Sequence, residues 1–185
     1  KSYNEKVANE YNKLYESHGI PSVATLHVSM EDFCVSQIEI NNINNIENIM
    51  DIPCGTGSYC RRVKQMYPSL IKKCVGIDLS EDQINVCKTF EMKEALNIEY
   101  KVMNATDLIY MQQYHDMFDV INANWLYCYG ESVEQLQTMA DGIYKCLKAN
   151  SIHTGMDCAT NLAVSDPKEW AKYGFQCIVK DKQPG

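Results

Sequence analysis

Two glycines one residue apart, Gly55 and Gly57, follow an acidic residue at the end of an apolar run. The run at 46–52 has the composition of a buried strand that carries Asp51 near its end, and a helical pattern begins at about Ser58 and stops before Pro68. Glycine accepts positive φ and has no Cβ, so the backbone can approach a ligand that lies across the turn and the helix start. The sequence therefore predicts a nucleotide-type site in a strand–turn–helix unit.

The spacing decides only part of the question of which nucleotide binds. A dinucleotide fingerprint requires G-x-G-x-x-G, and Cys60 occupies the third glycine position. No P-loop signature follows a strand. Asp78 ends the second predicted strand, roughly 20 residues past the glycines, where an acid reaches the ribose hydroxyls of a bound nucleoside. That geometry serves several nucleoside cofactors, so Asp78 does not choose between them.

Two later loops also carry candidate site residues. Residues 104–107, Asn-Ala-Thr-Asp, follow the third predicted strand, where a carboxylate can accept a hydrogen bond from an adenine amino group. The alternative is that Asp107 is the N-cap of a short helix. Trp125 and Tyr127 follow the fourth strand and either line an aromatic pocket or pack under the next helix.

Strand patterns alternate with helical patterns along the chain. The predicted strands are at 46–52, 73–79, 97–103, 118–123 and 151–158. Ser80 and Gln83 form a predicted capping box, and residues 132–147 form a helix with an apolar stripe that starts at Val133. This alternation predicts an α/β fold: a mostly parallel sheet with helices on both faces and ligands at the carboxyl ends of the strands.

Composition limits the function classes. The 185 residues are 45% hydrophobic and carry a net charge of -7, and no basic run exceeds Arg61-Arg62 or Lys72-Lys73, which disfavours a nucleic acid partner. No apolar run is long enough to span a membrane. The nine cysteines include no C-x-x-C pair, which predicts a reducing, cytoplasmic setting and no metal site.

Taken together, the motifs D-x-x-C-G-T-G, V-G-I-D-L-S, N-A-T-D-L and F-D-V-I resemble those of the class I S-adenosylmethionine (SAM) dependent methyltransferases, which have a Rossmann-like fold. The loop after the fourth strand lacks both prolines of the N-P-P-Y type motif of adenine-N6 methyltransferases, which argues against a nucleic acid base as acceptor. More narrowly, Tyr3, Tyr11, the G-T-G-S-Y-C-R-R continuation and the late K-Y-G-F are similar to the toxoflavin synthase-like branch of small-molecule methyltransferases.

The resemblance implies methyl transfer from SAM to a small-molecule acceptor, with S-adenosylhomocysteine as product. The cofactor contacts it implies, together with those predicted from the loops, are Tyr11, Asp51, Pro53, Cys54, Gly55, Gly57, Asp78, Leu79, Asn104, Ala105, Thr106, Asp107 and Asn122. Candidates for the acceptor pocket are His18, Trp125 and Tyr127. No catalytic base is identified.

Two other functions stay open on the sequence. One is a SAM-binding protein without transferase activity, acting as a sensor or scaffold. The other is an NAD-dependent oxidoreductase, which Cys60 at the third glycine position disfavours. The oligomeric state is not predicted.

The predicted organisation is a single domain over residues 1–185, with a helical lid at about 1–40 and a nucleotide-binding core at about 46–160. The sheet implied by the resemblance has seven strands, and after the fifth only residues 177–179 could begin another. We therefore expect the C-terminal hairpin strands to be missing and the chain to be C-terminally incomplete.

Overall fold

The computed structural model describes residues 31–38 and 46–157, and these form one parallel sheet with covering helices. The five strands are β1 (Asn48–Asp51), β2 (Lys73–Asp78), β3 (Ile98–Val102), β4 (Phe118–Asn122) and β5 (Leu147–Thr154). Their order in the sheet is β3-β2-β1-β4-β5, and every neighbouring pair is parallel. The order reverses direction beside β1, which places a crevice at its carboxyl end, between β1 and β4.

Three helices connect the strands: α1 (Ser58–Met66), α2 (Glu81–Lys93) and α3 (Val133–Cys146). Three short 3-10 helices lie at Ala105–Tyr110, Gln112–Tyr114 and Tyr127–Tyr129. Residues 31–38 are also helical. The predicted α/β fold, with a mostly parallel sheet, is confirmed.

Apolar side chains cover both faces of the sheet. On one face, α1, α2 and the segment 31–38 bury residues such as Ile38, Ile49, Val63, Ile84 and Val120. On the other, α3 and the 3-10 helices bury residues such as Met50, Ile77, Leu108, Ile121 and Ile143. Alternate residues of β1 and β4 serve opposite faces, because successive strand side chains point to opposite sides.

The structure changes two details of the predicted elements. β5 begins at Leu147, four residues before the predicted start, and the backbone of Asn150 within it is left-handed with φ 61°. The apolar stripe of α3 is buried only in the later turns: Met139, Ile143 and Cys146 are buried, whereas Val133, where the predicted stripe starts, is 76% exposed. The first turn of α3 therefore projects past the sheet that its later turns cover.

The predicted capping box at the start of α2 forms only in part. Ser80 Oγ accepts the N–H of Gln83 at 3.4 Å, as an N-cap should. The return contact does not form, because the N–H of Ser80 donates to Asp78 Oδ1 at 2.8 Å. Gln83 Oε1 is buried and has no hydrogen-bond partner among the described residues.

No helix formed by the described residues is long and apolar enough to cross a bilayer. The seven cysteines within these residues are free thiols. Most of the predicted lid and the possible strand at 177–179 lie outside the described residues.

Candidate functional site

The turn after β1 has the backbone geometry that its two glycines predict. Gly55 has φ 52° and Gly57 has φ 78°, both in the left-handed region. The N–H of Cys54 donates to the Ile77 carbonyl of β2 at 2.8 Å, and the N–H of Gly57 donates to the Cys54 carbonyl at 2.8 Å. The turn is therefore fixed to the second strand before α1 begins.

The two glycines face different surroundings. A Cβ added at Gly55 would meet no atom within 4 Å, so Gly55 borders open space. A Cβ added at Gly57 would lie 2.5 Å from Tyr100 Oη and 2.8 Å from Tyr100 Cε1, because the tyrosine reaches over β2 from β3. Gly55 is thus the glycine over which a ligand can lie, whereas Gly57 makes room for an internal side chain. Tyr100 was not among the predicted site residues, since no spacing rule links it to the turn.

Asp78, at the end of β2, holds the turn in place. Its Oδ2 accepts the N–H of Gly55 at 2.9 Å, and its Oδ1 accepts the N–H of Ser80 at 2.8 Å. Burial raises the pKa of Asp78, and the backbone hydrogen bonds oppose that rise. A carboxylate has about four acceptor positions, so these two contacts leave capacity for the hydroxyls of a ribose.

Apolar and polar groups flank Asp78 on the side of β3. Leu79 is 68% exposed directly after the acid, which is unusual for a leucine and suits a flat ring lying against it. In the next loop, Asn104 Oδ1 accepts the N–H of Thr106 at 3.1 Å. Asn104 is therefore the N-cap of the 3-10 helix that starts at Ala105, and the alternative that Asp107 is the cap is wrong.

The three residues predicted to border the adenine ring differ in how far they are exposed to solvent. Ala105 is buried, Thr106 is half-buried and Asp107 is exposed. An exposed carboxylate at this position is free to accept a hydrogen bond from a ligand.

Asp51 and Asn122 form a buried pair at the carboxyl ends of β1 and β4. They are register partners, and Asn122 Nδ2 donates to Asp51 Oδ1 at 2.6 Å. Burial raises the pKa of Asp51 to about 8. The Oδ1 of Asn122 is buried without a hydrogen-bond partner among the described residues. Both residues were predicted, and the structure brings them together.

Two cysteine thiols donate hydrogen bonds to the backbone of the glycine turn. Cys54 and Cys87 both donate to the Gly55 carbonyl, at 3.6 and 3.3 Å. Burial raises the pKa of Cys54 well above its usual value, so this thiol stays neutral and serves as a donor rather than a nucleophile. Pro53 is half-buried beside it, and its peptide bond to Ile52 is cis.

A cavity of about 320 Å³ lies at the carboxyl ends of β4 and β5. Ala123, Tyr127, His153 and Asp157 are among the residues that line it. Tyr127 Oη lies 3.1 Å from His153 Nε2, and His153 Nδ1 lies 3.2 Å from the Ile121 carbonyl. The structure thus places the predicted Tyr127 in a pocket wall and adds His153, which was not among the predicted site residues.

Trp125 does not line this cavity. Its backbone has φ 59°, and its N–H donates to the Met156 carbonyl at 2.8 Å, so its backbone joins the loops after β4 and β5. Tyr11 and His18, the other two predicted contacts from the N-terminal region, lie outside the described residues.

A glycine turn, an acid at the end of β2 and a polar pair at the switch point are the parts of a nucleotide site in an open α/β sheet. Residues 49–150 match the family described as a methyltransferase domain, and the chain belongs to that family. No curated protein sequence matches the chain.

Solved structures share the fold. One is an S-adenosylmethionine-dependent methyltransferase from Clostridium acetobutylicum, with TM-score 0.65, 16% identity and coverage of 80% of this chain and 56% of that chain. A candidate S-adenosyl-L-methionine-dependent methyltransferase from Methanococcus maripaludis gives TM-score 0.64 at 16% identity, covering 84% of this chain and 65% of that one. The cyclase SpnF gives TM-score 0.57 at 16% identity, covering 69% and 44%. The chain therefore spans about half to two thirds of the length of these structures.

Proposed function

We propose that the protein transfers a methyl group from S-adenosylmethionine to a small-molecule acceptor and releases S-adenosylhomocysteine. The observation that carries this proposal is the clamp between Asp78 and the N–H of Gly55, at 2.9 Å, within a chain of the methyltransferase domain family. The clamp joins the predicted ribose-binding acid to the glycine that borders open space.

The residues around the clamp fit each part of the cofactor. Asp78 keeps acceptor capacity for the ribose hydroxyls, and Leu79 offers an exposed apolar surface to the adenine ring. The open space over Gly55 accommodates the chain that links ribose to the methionine end. The buried, unpartnered oxygen of Asn122 is an acceptor that an ammonium group would satisfy.

When bound, the cofactor supplies a sulfonium-activated methyl group, so the protein has mainly to align the acceptor behind it. Asp78 and the turn would hold the nucleoside, and the Asp51–Asn122 pair would hold the amino acid end of the cofactor. Tyr127 and His153 line the adjoining cavity, where a hydrogen-bonded phenol and imidazole can receive a proton from an acceptor hydroxyl or amine.

The volume of the cavity and the net charge of the chain both bear on the class of methyl acceptor. A cavity of about 320 Å³ is at the small end of ligand pockets, which favours a small molecule over a polymer. The net charge of -7 disfavours nucleic acid. The motif resemblance favours the toxoflavin synthase-like branch. We propose a cytoplasmic location for the protein on the basis of the free thiols among its described residues.

The test is a screen of small acceptors that follows S-adenosylhomocysteine formation. Asp78→Ala is the matched control, because it removes the clamp while leaving the β4–β5 cavity intact. We expect at least one acceptor to give turnover that Asp78→Ala reduces tenfold or more. Tight SAM binding without turnover on any acceptor would favour the sensor or scaffold function, and binding of NAD instead of SAM would favour the oxidoreductase.

A further inference from the structure

The Asp51–Asn122 pair is an incomplete polar cluster. The carboxyl of Asp51 is 3% exposed, and its contacts are Asn122 Nδ2 at 2.6 Å and the Cys60 thiol at 3.8 Å. No ion pair among residues 31–38 and 46–157 includes Asp51. Asn122 is 1% exposed, and its Oδ1 has no hydrogen-bond partner within the same residues. Within the described part of the chain, two buried acceptors thus lie side by side without a cation.

The groups around Asp51 make its ionised form costly. Glu31 and Asp78 face it with negative charge from the segment 31–38 and from β2. The other titratable groups that interact with it are uncharged donors, namely the thiols of Cys34, Cys54 and Cys60 and the phenol of Tyr59.

The two arginines of α1 have partners of their own. On α1, Arg62 pairs with Glu31 at 3.7 Å and with Asp32, and Arg61 donates to the Thr56 carbonyl. A buried carboxylate without a cation is strongly disfavoured, and the group keeps its proton instead. Burial, reinforced by Glu31 and Asp78, raises the pKa of Asp51 to about 8, although the Asn122 hydrogen bond opposes the rise.

We propose that the ammonium group of the cofactor binds at the Asp51–Asn122 pair and displaces a proton from Asp51 to solvent. The O–H bond of the Asp51 carboxyl breaks, its proton goes to the buffer, and the resulting carboxylate accepts a hydrogen bond from the ammonium. Asn122 Oδ1 accepts a second one, and the ammonium keeps its three protons. This inference rests on the proposed function and adds that cofactor binding is coupled to protonation.

The coupling has a calculable size. With a pKa of about 8, Asp51 is about 0.9 protonated at pH 7, so binding should release about 0.9 proton from it. The α-amino group of the ligand is already mostly an ammonium at pH 7, so its own proton uptake is small. The net release is therefore most of one proton, and affinity should rise several-fold between pH 6 and pH 7.

The experiment is calorimetric titration of the full chain at pH 7 in buffers of different ionisation enthalpy, which gives the number of protons released. The probes are S-adenosylhomocysteine, which keeps the amino acid end, and 5′-methylthioadenosine, which lacks it. We expect a release of most of one proton with the first and close to none with the second. Asp51→Asn should abolish the release and leave affinity nearly independent of pH between pH 6 and pH 7.

The ligand comparison needs no variant, so it stands even if Asp51→Asn does not fold. Tight binding of S-adenosylhomocysteine without proton release, or equal release with both ligands, would overturn the coupling while leaving the proposed function in place. Failure of both S-adenosylmethionine and S-adenosylhomocysteine to bind would overturn the proposed function and the coupling together.

Discussion

Replacing each turn glycine by alanine separates a ligand-facing position from an internal one. Gly55→Ala adds a methyl group in open space, whereas Gly57→Ala places one 2.5 Å from Tyr100 Oη. Both glycines have positive φ, so each alanine carries a backbone cost of about 1–2 kcal/mol. Only Gly57→Ala adds overpacking, which costs about 1–3 kcal/mol.

We therefore expect Gly57→Ala to lower the free energy of unfolding by about 2–5 kcal/mol and Gly55→Ala by about 1–2 kcal/mol. For a chain of this length each kcal/mol corresponds to about 2–4 °C in Tm. The order should reverse for ligand binding in the folded protein: Gly55→Ala should weaken SAM binding more strongly, because its methyl group occupies the cofactor space.

Urea unfolding and calorimetric titration with SAM measure the two effects separately. A double-mutant cycle provides the control. In a Tyr100→Ala background, Gly57→Ala should cost only its backbone strain, while the cost of Gly55→Ala should be unchanged. Equal destabilisation by the two alanines, or a Gly57→Ala cost that Tyr100→Ala does not reduce, would refute the assignment of Gly57 to packing.

Three further outcomes follow from the site. Asp78→Ala removes a charged acceptor for the ribose, worth about 1.5–3 kcal/mol, so calorimetry should show SAM affinity reduced tenfold or more; unchanged affinity would remove Asp78 from the site. Asp51 holds its proton in the folded state up to about pH 8 and loses it near 3.8 when unfolded, so apoprotein stability should fall from pH 5 to pH 8. Asp51→Asn should reduce that slope in thermal melts, and a parent and variant with identical slopes would contradict the buried, protonated carboxyl. Tyr127→Phe breaks the contact with His153 and should lower turnover while leaving SAM affinity within about twofold; a matching loss of SAM binding would place Tyr127 at the cofactor instead.

The parallel sheet and the cofactor side of the site could be predicted because they depend on local signals. The glycine turn, Asp78 and the Asn104 loop each follow a strand directly, and the carboxyl ends of parallel strands meet at one edge. The positive φ at Gly55 and Gly57 follows from their residue type.

The contacts that cross the sheet could not be read from spacing. Tyr100 reaches Gly57 from a strand two positions away, and His153 meets Tyr127 only because β5 lies beside β4. The apolar stripe of α3 was predicted to start at Val133, which is exposed, because periodicity does not say where a helix leaves the sheet. In the same way, the N–H of Ser80 donates to Asp78, whereas the predicted capping box has it donating to the side chain of Gln83.

Thermal unfolding of the full chain with SAM, S-adenosylhomocysteine and NAD tests the central claim most directly. A ligand present at 100 times its dissociation constant stabilises the folded state by about 2.7 kcal/mol, a shift of several degrees in Tm. The proposed function predicts that SAM and S-adenosylhomocysteine raise Tm and that NAD does not, with the SAM shift cut to about half or less in Asp78→Ala. A shift with NAD alone, or no shift with either adenosyl ligand, would contradict it.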